Sequence, residues 1–205
     1  MKWRTFANIA AWAALTLVLA LTLGAAPFRL ALAQQAAQAA PDPLVLIRSF
    51  ACVVPGYGKV AIVNDPKLDN LALAERIEGT NELVIYVRTD LMNLFKPTTR
   101  VFWLEHECSH HRLGHTKSTR AVSDACVAKQ EDAADCSAIQ TMVNATPPMI
   151  DAGGLAVIEN DLTRIPHGPG GIYKTGAQRA QQVDRCARDD AWAQGVIAAG
   201  NCAPP

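Results

Sequence analysis

The sequence predicts an α+β domain, a small sheet followed by a set of helices, and three observations carry that expectation. Short runs rich in β-branched residues lie before residue 90, and longer stretches with helix start and stop signals lie after residue 97. A chain of 205 residues, half of them hydrophobic, has enough material for one compact domain. Nineteen basic and nineteen acidic side chains cancel, so charge gives no case for nucleic acid or an anionic membrane surface as partner.

The elements follow in order. Lys2 and Arg4, an apolar run from Phe6 to Ala26, and Ala31-Leu32-Ala33 before Gln34 read as an export signal over 1–33, cleaved after Ala33. The run is close to the roughly 20 residues that span a bilayer, so an uncleaved N-terminal anchor is the alternative, and membrane is a partner only in that case. Residues 34–43, rich in Ala, Gln and Pro, read as a flexible leader, and the domain as 44–205. Gly58 to Val63 and Glu82 to Val87 are β-rich, with turn chemistry at Glu78-Gly79-Thr80-Asn81 between them. The expectation is a small antiparallel sheet, with Leu71 to Ile77 either a third strand or a short helix.

Thr99 to His115 reads as a helix, started by Pro97 and Thr98 or Thr99 and stopped by Gly114. Val101, Leu104, Cys108 and Leu113 give it an apolar side, and Arg112 and His115 suit its C-terminal dipole. Ala121 to Val143 is a second helix with a break near its start; it places Glu131, Asp135 and Met142 on one face and Ile139 and Val143 toward the core. Thr146-Pro147-Pro148 ends it. Leu155 to Ile165 is a further helix, Pro166 to Gly171 a loop, and Ala177 to Ala193 a closing helix.

Chemistry concentrates in the first two helices. His106 and His110 stand at i and i+4, so their imidazoles project from adjacent turns and can hold one Zn²⁺ between them. Glu107 is placed beside that ion as a general base toward a water. A catalytic zinc takes three protein ligands, and Glu131 can be the third; Asp135, one turn further on, can accept the free ring N–H of a liganding histidine. Cys108 falls on the opposite side of the helix, as packing or disulfide. His111 and His115 read as ordinary helix-end residues.

His106-Glu107-x-x-His110 followed by Glu131-x-x-x-Asp135 resembles the gluzincin metallopeptidases, the thermolysin-like clan and its small single-domain members. Ala133-Ala134 and His115 are more similar to the HtpX-type minimal gluzincins, and the resemblance covers roughly Leu83 to Val143. The metzincin pattern is absent, because it wants Gly at 113 and His at 116, where this chain has Leu113 and Thr116. The resemblance implies a zincin-like domain whose sheet packs on the active-site helix and the second ligand-bearing helix. It assigns a substrate-pairing edge strand to Leu83 to Val87, for which a buried core strand is the plain alternative. His167, Tyr173 and Arg179 compete to stabilise the oxyanion of the tetrahedral intermediate. His167 and Arg179 are similar to a His-Pro…Arg stretch of HtpX-type enzymes, with the departure that His167 is followed by Gly168.

Six cysteines fit an exported chain and allow fifteen pairings. Cys186 with Cys202 could clamp the tail, and Cys108 with Cys136 could join the site helices. A zinc–thiolate site of Cys108, Cys126 and Cys136 is the rival, without a C-x-x-C spacing to support it. The expected function is an exported zinc peptidase, periplasmic or secreted, with one Zn²⁺ per chain and a peptide or protein substrate. The rival class is a zinc-binding cell-envelope protein that cleaves nothing. Oligomeric state cannot be read from these residues.

Overall fold

The computed structural model describes residues 49–117, 122–165 and 173–202. The expected export signal, the leader and the loop carrying His167 lie outside the described residues.

β1 (Val53–Val54) and β2 (Gly58–Lys59) form a two-stranded hairpin. Its tight turn needs positive φ at Gly56 and Gly58, which glycine adopts without strain. The main sheet holds β3 (Ala61–Asn64), β4 (Ala72–Arg76) and β5 (Leu83–Val87) in the order β3-β5-β4. β5 runs antiparallel to β4 but parallel to β3, so the sheet is mixed rather than wholly antiparallel as expected. Leu71 to Ile77 resolves into a strand.

The order also overturns the edge assignment. Leu83-Val84-Ile85-Tyr86-Val87 is a continuous apolar run, the pattern of a strand covered on both faces, and four of its five residues are buried. It therefore occupies the middle, and the edge next to the site helix is β4.

After the short helix α1 (Thr89–Met92) comes the central helix α2 (Pro97–Leu113). Pro97 opens it at a position where a missing N–H costs nothing, and Gly114 closes it in the left-handed conformation at φ 78°. No side chain of its own first turn caps it. Asp161, buried on a later helix, accepts from the Lys96 backbone N–H at 2.9 Å and the Thr99 hydroxyl at 2.8 Å. Phe102, Trp103, Leu104, Cys108 and Ser109 are all buried, so α2 is covered on nearly every side and shows little amphipathic stripe.

A single 3₁₀ turn (His115–Lys117) leads on toward α3 (Asp124–Asn144), whose N-cap Ser123 accepts from the Cys126 N–H. Ala133, Ala134 and Ala138 are fully buried on α3, and their small side chains let neighbouring elements approach closely. α4 (Ala152–Thr163) is capped by Asp151, and α5 (Gly176–Arg188) opens on a capping box of Thr175 and Gln178. The expected closing helix is in fact two: Asp189 ends α5 in a non-helical conformation, and its side chain caps α6 (Asp190–Ala199) through the Trp192 N–H. An aspartate that can satisfy a free N–H three residues on competes with helix continuation, and here it wins.

All six cysteines are paired, as Cys52–Cys108, Cys126–Cys202 and Cys136–Cys186. Of the fifteen pairings that the sequence left open, the two possible links Cys186–Cys202 and Cys108–Cys136 are not formed, and Cys108, Cys126 and Cys136 are all in disulfides, which leaves none of them as a thiolate for a metal. Cys108 faces away from the histidines, as expected, toward the hairpin. Three disulfides fit an oxidising compartment. Among the described residues no helix is long and apolar enough to cross a membrane.

Candidate metal centre

α2 turns His106 and His110 toward α3, where Glu131 stands opposite. The two Nε2 atoms are 3.1 Å apart; His106 Nε2 lies 3.4 Å from Glu131 Oε2, and His110 Nε2 lies 3.4 Å from Glu131 Oε1. Donors about 2.0–2.1 Å from a tetrahedral ion stand about 3.3–3.4 Å from one another. Each imidazole thus has its own Glu131 oxygen at about that spacing, and one ligand atom from each of the three residues lies within 4.8 Å of the others, so this group could hold a metal ion.

The surroundings fix the donors. Asp135, 2% exposed, takes the Nδ1 side of His106 at 2.8 Å, which leaves Nε2 as the metal-facing nitrogen. Arg179 on α5 grips the same carboxylate with two bonds of 2.6 Å, Nε to Oδ2 and Nη2 to Oδ1, while its guanidinium lies 4.5 Å over the Trp103 ring. Burial alone would raise the Asp135 carboxyl, but Arg179 and His106 overcome it and hold the group below the usual carboxylate range. Glu131 behaves likewise: burial works against its charge, and the two imidazoles pull it well below the usual range. With no cation present, burial disfavours charge on His106, yet Asp135 and Glu131 hold its pKa up at about 10. A cation at this place thus takes the position of a proton.

Glu107, 8% exposed, sits beside the group with Oε2 accepting from the Ala74 backbone N–H at 2.8 Å. That amide belongs to edge strand β4, so base candidate and strand edge meet. A cavity of about 410 Å³ opens here, lined by β4 from Leu73 onward and by His110, His115 and Glu131. A smaller one, about 180 Å³, lies on the other side of Glu131 against Tyr173, Lys174 and Arg179.

His106, Glu107, His110, Glu131 and Asp135 are thus brought together. Tyr173 reaches the rim of the smaller cavity, where burial and the charge of Glu131 raise its pKa. Arg179 reaches the site too, with two of its five N–H donors on Asp135 and Nη2 3.9 Å from Glu131 Oε2. His111 ties α2 to the sheet, its ring nitrogens meeting Val84 O at 3.0 Å and Thr116 Oγ1 at 3.1 Å. His115, read as a helix-end residue, instead touches the group: its Nδ1 is 2.9 Å from His110 Nδ1, and burial pushes its pKa down to about 3. The signal that could have found it is Gly114, which turns the chain back just before that ring. No family model matches the chain, and no curated protein or solved structure matches it either.

Proposed function

We propose that this protein is an exported zinc-dependent metallopeptidase of gluzincin type, with a zincin-like domain. The observation that supports the reading best is the group of His106, His110 and Glu131, with Glu107 next to His106 in the chain and its carboxylate on the Ala74 N–H of edge strand β4. A zinc ion held by those three residues would supply Lewis acidity toward a water and a scissile carbonyl.

The chain's own residues carry the other steps. β4 offers unpaired backbone groups along the cavity, to which an extended peptide can add as a further strand while the cavity sorts its side chains. Glu107 accepts the proton of the attacking water at its carboxylate and delivers it to the leaving amine. Because Glu107 occupies the Ala74 amide, an incoming peptide carbonyl that takes this amide frees the carboxylate to turn toward the water. Tyr173, at the rim, is the candidate donor to the oxyanion. Asp135 and Arg179 hold His106 in one tautomer and orientation.

The test is metal analysis of the purified protein with a diverse peptide pool, with and without chelator. The expected result is close to one zinc per chain and cleavage that chelation abolishes. Zinc bound without any cleavage selects the non-catalytic envelope protein, and His106→Ala and His110→Ala variants that keep full zinc remove the site altogether.

A further inference from the structure

We infer that His115 is a positioning residue for the metal centre, holding His110 in the tautomer that presents Nε2 to the ion. The inference rests on the metal-site reading above. A histidine that ligates through Nε2 carries its proton on Nδ1 and needs an acceptor there. For His106 the acceptor is Asp135. For His110 the group in reach is His115 Nδ1, at 2.9 Å. That nitrogen must then be bare, which puts the His115 proton on Nε2.

The outer nitrogen is where a purely structural role fails. His115 Nε2 is buried and has no hydrogen-bond partner, a loss that typically destabilises a fold. It is shut in by the turn after α6, where a Cβ on Gly200 would stand 3.4 Å from Nε2, 3.2 Å from Lys129 O and 2.4 Å from the Ala133 Cβ. Cys126–Cys202 fastens the chain two residues beyond Gly200 to the start of α3. The ring is therefore clamped with one nitrogen unsatisfied and the other on His110.

The two ligands are supported differently. Asp135 brings a charge to His106, while His115 brings none to His110. Among His106, His110, Glu131, Asp135 and His115, the carboxylates of Glu131 and Asp135 carry the negative charge, and Arg179 offsets Asp135. A neutral acceptor fixes the ring without adding electron density to it, which preserves the ion's electrophilic character.

The experiment compares wild type, His115→Asn and His115→Phe. Asn can place its carbonyl oxygen near the position of Nδ1, whereas Phe keeps the ring and loses the acceptor. Zinc affinity is read by competition with a chelator of known affinity, and the thermal midpoint of each metal-free protein is read beside it. Expected is a loss of about 10- to 100-fold in affinity for His115→Phe and recovery of most of it in His115→Asn. A wild-type affinity in His115→Phe, whatever its metal-free midpoint, overturns the inference, as does an equal loss in both variants. Should His115→Phe not fold, long-range proton–nitrogen spectra of the zinc-loaded wild type decide. Protonated His110 Nδ1 with bare His115 Nδ1 supports the inference, and the reverse assignment overturns it. The wild-type titration answers the metal reading separately: if wild type binds no zinc, that reading and this one fall together, whereas normal wild-type binding with an insensitive His115 sinks only this one.

Discussion

At the scale of single residues, two carboxylates within one site are held in different ways, and this separates their roles. Glu107 touches a backbone amide and no imidazole, while Glu131 faces both Nε2 atoms. Glu107→Gln should therefore retain zinc and lose peptidase activity, and Glu131→Gln should weaken zinc itself; release of zinc by Glu107→Gln, measured by metal analysis, would show the two roles exchanged. Asp135 carries more than its motif implies. It orients His106 and is also the partner of the buried Arg179, so Asp135→Asn removes the negative charge and one of the two acceptor oxygens, leaving a single carbonyl oxygen for His106 and Arg179. Metal affinity should fall about 10- to 100-fold, with partial rescue by excess zinc. The metal-free protein should also lose stability, on the order of 3 kcal/mol, because the buried guanidinium loses its bidentate carboxylate and keeps only the more distant Glu131 as a charged partner. Denaturant titration of the metal-free variant reads the second effect, and an unchanged midpoint would mean that Arg179 finds another partner.

At the scale of elements, what positions the site is the start of α2, and it is secured from a distance. Asp161 on α4 receives the Lys96 amide and the Thr99 hydroxyl, groups that the helix cannot satisfy itself. Asp161→Ala should cost about 2 kcal/mol, the sum of a lost cap and a buried unsatisfied hydroxyl. In a domain of this size that lowers the melting temperature by roughly 4–8 °C, with zinc stoichiometry unchanged. A change below about 1 °C would mean that water replaces the carboxylate. Such a contact explains what could be read from the sequence. His106, Glu107, His110, Glu131 and Asp135 were legible because each pair falls within one helix, where spacing alone sets the face. Gly114 and Pro97 marked the ends of α2 for the same local reason. Arg179 on Asp135, His115 on His110 and Asp161 at α2 depend on how separate elements meet, which spacing within one of them does not encode. The sheet order failed on that ground too, although the unbroken Leu83 to Val87 run carried the clue that this strand is central.

At the scale of the whole molecule, the covalent links divide the site-bearing elements into two groups. Cys52–Cys108 joins the hairpin to α2, while Cys136–Cys186 and Cys126–Cys202 join α3 to α5 and to the chain after α6. Each closes a long loop, for which the chain-entropy model gives about 4 kcal/mol. None joins α2 to α3, and that is the gap a cation between His106, His110 and Glu131 would bridge. The metal should accordingly add stability that the disulfides do not, by an amount set by its affinity. That affinity depends on pH with a definite sign. In the metal-free protein the His106 pKa is raised from its ordinary 6.5 to about 10, by Asp135 and Glu131 against the cost of burial. A group whose pKa is raised on folding stabilises fully below its unfolded value, and that contribution is lost as pH rises toward about 10. The metal-free protein should thus lose this contribution progressively from about pH 6.5 toward 10, while the zinc-loaded protein, in which the metal takes the place of the titrating proton on His106 Nε2, should not. Melting scans in zinc buffer and in chelator across that range should show the gap between the two curves widening with pH, and a gap that stays constant or narrows would mean that His106 is not protonated when the cation is removed.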